Sequence, residues 1–237
     1  MKIKSVILAF MLIPLLFSCK DDNNDNAPVP GSGGIDDSFN TSTQSWNGDF
    51  ADYPKDSEAF YELKYSHENL PAPLDQTIKG IRISGNNHSD DLFMFMKKKV
   101  SGLVPNRSYK MKIDVELASN ARNGGIGVGG SPGSGVTIKA GLTTTEPIKV
   151  LNDTANHYRL NVDKGNQSVG GKDAVVLGNV ENGTDKQEYS LIQRSGEFTG
   201  KADDKGEAWV MIGTDSGFEA TTTLYYTKVK ASFTAVD

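Results

Sequence analysis

Several short stretches carry side chains whose types and spacing bear on chemistry. In Lys112-Ile-Asp-Val-Glu116 the residues Lys112, Asp114 and Glu116 recur at every second position, so on a strand all three project from one face. Carboxylates aligned in this way suit double-displacement glycoside hydrolysis, where one acts as nucleophile and another as acid. Only Asp114 and Glu116 are carboxylates here; the third group, Lys112, is an ammonium, which cannot form a glycosyl ester. The wet face of a half-buried strand accounts for all three residues, and no catalytic residue is assigned here. The run Gly124-Gly-Ile-Gly-Val-Gly-Gly-Ser-Pro-Gly-Ser-Gly135 is rich enough in glycine to suggest a phosphate cradle. It lacks the Gly-Lys-Ser/Thr ending and the βαβ setting of a P-loop. Dense glycine in a β protein marks turns, bulges and close backbone approach, so a mobile loop beside a ligand face is expected.

Other candidates are polar loops. Asn86-Asn-His-Ser-Asp-Asp91 offers Asn87, His88 and Asp90 as groups for sugar hydroxyls, without the ordered ligand alternation of a calcium loop. Gly213-Thr-Asp-Ser-Gly-Phe-Glu219 adds Asp215 and Glu219 just after a strand, and its Ser216 is not in a Gly-x-Ser-x-Gly elbow. The three histidines, His67, His88 and His157, are scattered and never at helical metal spacing, so no metal or cofactor is expected. Aromatic rings can stack on the C–H faces of sugars. Trp46 and Tyr53, in a loop-rich stretch, are the candidates for exposure, while Trp209 alternates with Met211 and reads as core.

The elements that would position these groups read as strands. Tyr109, Met111, Ile113, Val115 and Leu117 alternate with Lys110, Lys112, Asp114 and Glu116, the period-two pattern of a strand with one face buried. Further strands are expected at 60–65, 80–84, 92–100, 136–140, 158–162, 174–177, 189–193, 208–212 and 222–233. Turn clusters such as Gly85-Asn-Asn and Glu181-Asn-Gly separate them. No convincing amphipathic helix and no repeat of fixed period is found. The expected fold is all-β, a single antiparallel β-sandwich of jelly-roll type over 35–237.

The N-terminus carries an address. Lys2 and Lys4 precede an apolar run from Val6 to Phe17, too short for a comfortable membrane span and suited to a secretory signal. Its ending, Leu16-Phe17-Ser18-Cys19, resembles the bacterial lipobox. That resemblance implies a lipoprotein signal peptide at 1–18, cleavage after Ser18 and acylation of Cys19 with diacylglycerol and palmitate-like chains. Cys19 is the single cysteine, so no disulfide is available to the remainder. The acidic, Asn-rich tether at 19–34 has the composition of a disordered segment. It resembles the export signal of Bacteroidetes-type surface lipoproteins, which implies an outer-membrane protein exposed at the cell surface. Asp153-Thr154-Ala155 resembles the O-glycosylation acceptor of the same bacteria, with Thr154 as the acceptor.

Ser38-Phe39-Asn40 followed by Ser45-Trp46, the joint Val100-Ser-Gly-Leu-Val-Pro-Asn-Arg-Ser-Tyr109, and the closing Thr223-Leu-Tyr-Tyr-Thr-Lys-Val-Lys230 resemble carbohydrate-binding modules of the galactose-binding-like jelly-roll superfamily. The resemblance implies that first and last strands are neighbours and that Leu103 plugs the core. It also implies glycan binding without catalysis. Asn40 and Thr227 or Lys228 stand where those modules usually carry calcium-linked carboxylates. A formal charge of −5, more negative once Lys2 and Lys4 are removed, argues against nucleic acid, since no basic stripe is present to displace counterions. The expectation is a lipid-anchored, non-catalytic envelope protein that binds extracellular glycan. The alternative is a structural or protein-interaction lipoprotein of the envelope, with an enzyme ranked third.

Overall fold

The computed structural model describes residues 34–89 and 91–236. Cys19 and Asp90 lie outside the described residues. Within them every regular element is a strand: β1 Ile35–Ser38, β2 Asn47–Ala51, β3 Tyr53–Pro54, β4 Lys64–Asn69, β5 Lys79–Asn86, β6 Leu92–Val100, β7 Ser108–Ser119, β8 Val136–Thr143, β9 Lys149–Asn152, β10 His157–Leu160, β11 Val175–Asn179, β12 Ser190–Lys201, β13 Ala208–Ser216 and β14 Thr221–Val236. One sheet runs β12-β7-β14-β5-β4, with β1 also paired to β14; a second runs β11-β8-β13-β6-β2; a small third runs β3-β10-β9. All pairings are antiparallel. The all-β sandwich is thus the fold.

The core lies between the two large sheets. Tyr109, Met111, Ile113, Val115 and Leu117 of β7 face inward, as their alternation requires. They join Val136, Ile138, Ala140 and Leu142 of β8, Val210 and Ile212 of β13, and Met94 and Met96 of β6 in one buried cluster. Leu103 is buried in the same cluster, as its position in the joint implied.

The second sheet is buried on its other face too. Phe93 and Phe95 of β6 and Met211 of β13 pack outward against Ala51, Val162 and Ala174, with Leu160 beside them. The chain from β10 to β11 therefore covers this face. At about 1.5–3 kcal/mol for each fully buried large apolar side chain, Phe93, Phe95 and Met211 make that cover part of the folded structure.

β1 and β14 are neighbours, with Ser38 opposite Lys228 and Ile35 opposite Ala231. The closing strand does not keep one simple alternation along its length. A register shift between Tyr226 and Lys228 places a bulge at Thr227. Leu224 and Tyr226 before it and Val229, Ala231 and Phe233 after it all reach the core. Tyr225 turns to the opposite face and joins Leu70 and Ala118. The bulge sits where β14 ceases to pair with β5 and begins to pair with β1. Its Thr227 hydroxyl donates to the Glu116 carboxylate at 2.8 Å.

The strand expected at 60–65 is a turn, and the strand itself begins at Lys64. Positive φ at Asp56 and Glu62 breaks extension there.

Candidate functional site

Five loops meet at one end of the sandwich, and backbone bonds tie each to the next. Asn86 N donates to Tyr61 O at 2.7 Å, joining the 55–63 turn to the β5–β6 loop. Asn87 joins that loop to the β13–β14 turn, donating through Nδ2 to Ser216 O at 2.8 Å and Phe218 O at 3.1 Å. The glycine-rich β7–β8 loop is held in turn by Glu219 N to Val128 O and Gly217 N to Gly135 O, both 2.9 Å. Asn123 N to Thr184 O at 2.7 Å and Asn182 N to Ala121 O at 2.8 Å add the β11–β12 loop. These bonds hold the glycine-rich loop on both sides. Its glycines serve close approach. A Cβ at Gly127 would strike the Phe218 ring, and at Gly129, where φ is +68°, it would lie 2.6 Å from Glu219 Cγ.

Between the last three of these loops lies a cleft of about 260 Å³ lined by Asn120, Arg122, Gln187, Thr221 and Thr223 together with Ile126, Pro132 and Phe218. Amides, hydroxyls and one guanidinium thus face a partly apolar wall, a combination suited to orienting a small polar ligand. On the same end, Phe60 stands 64% exposed and stacks on His88 at 4.0 Å between ring centroids, 21° from parallel.

The candidate residues divide sharply. Trp46 is 1% exposed; its indole N–H donates to Asp37 at 2.8 Å and its ring meets Phe39 edge-on. Tyr53 is fully buried, packed against Tyr61 and Tyr158, with its hydroxyl bonded to Glu58 and Lys149. Burial, followed by the negative field of Glu58, raises that phenol far above its ordinary pKa. Neither ring can stack on a ligand, because each already has its apolar faces and its polar atom satisfied. Asn87, 2% exposed, is a brace between loops. His88 is exposed at the candidate end, and Glu219 lies in the turn that borders the cleft. Thr154 is exposed in the turn between β9 and β10. Trp209, expected in the core, lies half-buried on the outer face of the second sheet, with Lys97 and Lys99 at 5.7 and 5.4 Å from its ring.

Asp215 is not a ligand group either. Its side chain is fully buried and pairs with Lys139 at 2.8 Å and Lys164 at 2.7 Å. Lys139 also donates to Lys164 O and Val169 O, and Lys164 reaches Asp52 at 3.1 Å. Arg159 continues the network to Asp52 and Asp91. Burial pulls Lys139 below its ordinary value. It also disfavours the Lys164 charge, but the Asp215 and Asp52 carboxylates outweigh that and hold Lys164 raised. These charges bolt the β10–β11 cover onto the second sheet. Asp163 tightens the same cover by accepting from Lys172 N and Gly165 N, which lowers its pKa.

The Lys112, Asp114 and Glu116 face is open and wet as expected. Lys112 pairs with Glu197 at 3.2 Å, and Glu116 accepts from Thr227 and Gln193. Arg122, Phe218, Asn120, Gln187 and Phe60 were missed from the sequence, since each sits singly in a loop with no spacing pattern. The glycine run, the Ser-Gly-Phe-Glu turn and the 86–91 loop were the stretches that pointed to this end.

No protein-family model and no curated protein matches the chain. Solved structures do resemble it. A CBM22-1 xylan-binding domain from Paenibacillus barcinonensis superposes with a TM-score of 0.40 at 10% identity, covering 87% of this chain and 98% of the other. TmCBM61, solved with β-1,4-galactotriose, gives 0.35 at 11%, covering 80% and 88%. The arabinose-bound α-L-arabinofuranosidase MgGH51 gives 0.43 at 10%, with 85% of this chain matched to 26% of the enzyme. These likenesses concern the fold alone.

Proposed function

We propose that this protein is a non-catalytic glycan-binding sandwich, held at the outer-membrane surface by lipid on Cys19, with the loop-end cleft as its binding site. The observation that carries the reading is the cleft's lining. Asn120, Gln187 and Thr221 offer hydrogen bonds to hydroxyls, and Phe218, Ile126 and Pro132 offer apolar surface to C–H faces. Catalysis is not assigned: on the carboxylate-bearing face of β7, Lys112 pairs with Glu197 and Glu116 accepts from Thr227 and Gln193.

The test is an array of neutral and acidic glycans probed with wild type and Phe218→Ala. Binding by wild type that falls about ten-fold or more in the variant supports the reading, the loss expected for removing a buried aromatic contact worth ~1.5 kcal/mol. Silence of the wild type across the array overturns it. A second reading, docking of a protein partner, draws on Ile126 and Val128, which are 94% and 67% exposed beside the cleft; array silence favours that reading.

The anchor has its own test. With several acyl chains on Cys19, each buried methylene adding about 0.8 kcal/mol, the protein should fractionate with membranes and incorporate an alkyne fatty acid. Cys19→Ser should lose both. Equal labelling of the variant and wild type would rule out lipid at this position.

A further inference from the structure

We propose that the glycan taken by the loop-end cleft carries a negative charge, and that Arg122 binds that charge. The inference rests on the glycan reading above and adds the ligand's charge class. The chain has 30 Asp and Glu against 25 Lys and Arg, yet no carboxylate lines the cleft, and its one ionisable lining residue is Arg122.

Arg122 also differs from other arginines in how it is used. Arg82 pairs with Glu68, and Arg159 with Asp52 and Asp91. Arg194 donates to the carbonyls of Asn179, Glu181 and Gln193. Each is spent within the fold. Arg122 is exposed and has no ion-pair partner among the described residues. Glu181, on the neighbouring loop, is turned to other partners: its carboxylate accepts from Gly124 N at 3.1 Å and from Asn179 Nδ2 at 3.4 Å.

A guanidinium left free beside an apolar wall is a fork of donors matched to a planar or tetrahedral oxyanion. Asn120 and Gln187, whose side-chain amides make no hydrogen bond among the described residues, stand ready for the hydroxyls around it. Uronate carboxylates and sulfate esters share this chemistry. The protein's own negative charge opposes indiscriminate adsorption of polyanions, so selective binding of an acidic chain has to come from a local cationic site.

Matched pairs of polysaccharides test this with the full-length chain: polygalacturonate against its carboxyl-reduced form, and dextran sulfate against dextran, by titration calorimetry at two salt concentrations. At least one acidic member should bind, with its neutral counterpart weaker by about ten-fold or more, the scale of a hydrogen bond to a charged group. Arg122→Gln should lose a similar factor on the acidic member only, and added salt should weaken wild-type binding. Preference for polygalacturonate identifies a carboxylate ligand, and preference for dextran sulfate a sulfate ester. Equal binding of the neutral counterparts, or Arg122→Gln indistinguishable from wild type, overturns the charge assignment while leaving glycan binding intact. Silence with both acidic chains overturns it as well, and silence across the wider array removes the glycan reading itself. A thermal melt checks that Arg122→Gln is folded, as its exposed, unbonded side chain predicts.

Discussion

At the scale of single residues, polar groups divide between those the fold consumes and those it leaves over. Lys139 and Asp215 are consumed: both side chains are fully buried, 2.8 Å apart. Burying an ion pair gains little net stability, but deleting one partner strands the other's charge in a dry site. Asp215→Ala would leave Lys139 without its carboxylate and Lys164 with Asp52 alone. The expected cost is about 3–5 kcal/mol, read as a fall in the denaturant midpoint. Adding Lys139→Met should recover part of it, since the stranded ammonium is then gone. A single variant as stable as wild type would show that water reaches the pair. The sequence placed Asp215 in a polar loop and read it as a ligand group, because nothing local announces a lysine 76 positions away. Trp46 and Tyr53 were misread for the same reason. Their neighbours in sequence are polar, while their neighbours in space are Phe39, Tyr61 and Tyr158.

At the scale of elements, legibility followed the number of faces a strand buries. β7 has one wet face, so its alternation named both the strand and its inward residues. β6 begins Leu-Phe-Met-Phe-Met with every side chain buried, and an unbroken apolar run is the mark of a strand covered on both faces. That signal named no covering segment, since the chain from β10 to β11 carries no pattern of its own. β2, β3 and β9 were not anticipated. They are short, and β2 opens Asn-Gly, which reads locally as a turn until β6 supplies a partner for it. The bulge in β14 was invisible too, because Tyr225 and Tyr226 suit either face and only the exchange of β5 for β1 decides between them. The loop-end cleft shows the limit most plainly. Three loops and the start of β14 line it, their residues are distant in sequence, and their meeting is a consequence of strand order.

At the scale of the whole molecule, that strand order makes β14 the piece on which the first sheet depends. It pairs with β7 along one side and with β5 and β1 along the other, and its Leu224, Tyr226, Val229 and Phe233 lie in the main core. At about 1.5–3 kcal/mol for each large buried side chain, their removal takes away an amount comparable with a domain's entire net stability of roughly 5–15 kcal/mol. It also exposes the long edges of β7 and β5, whose unpaired amides and carbonyls invite association. A chain ended at Ala220 should therefore lose its cooperative melt altogether, since a domain with one core unfolds as a unit. The fitting control is a short glycine-serine insertion after Thr154, in the exposed turn between β9 and β10, where extra loop length costs little and the melt should stay near that of wild type. If the truncated chain instead kept a cooperative, near-native transition, the second sheet with its cover would have to fold alone, and the two sheets would be separate units that happen to pack.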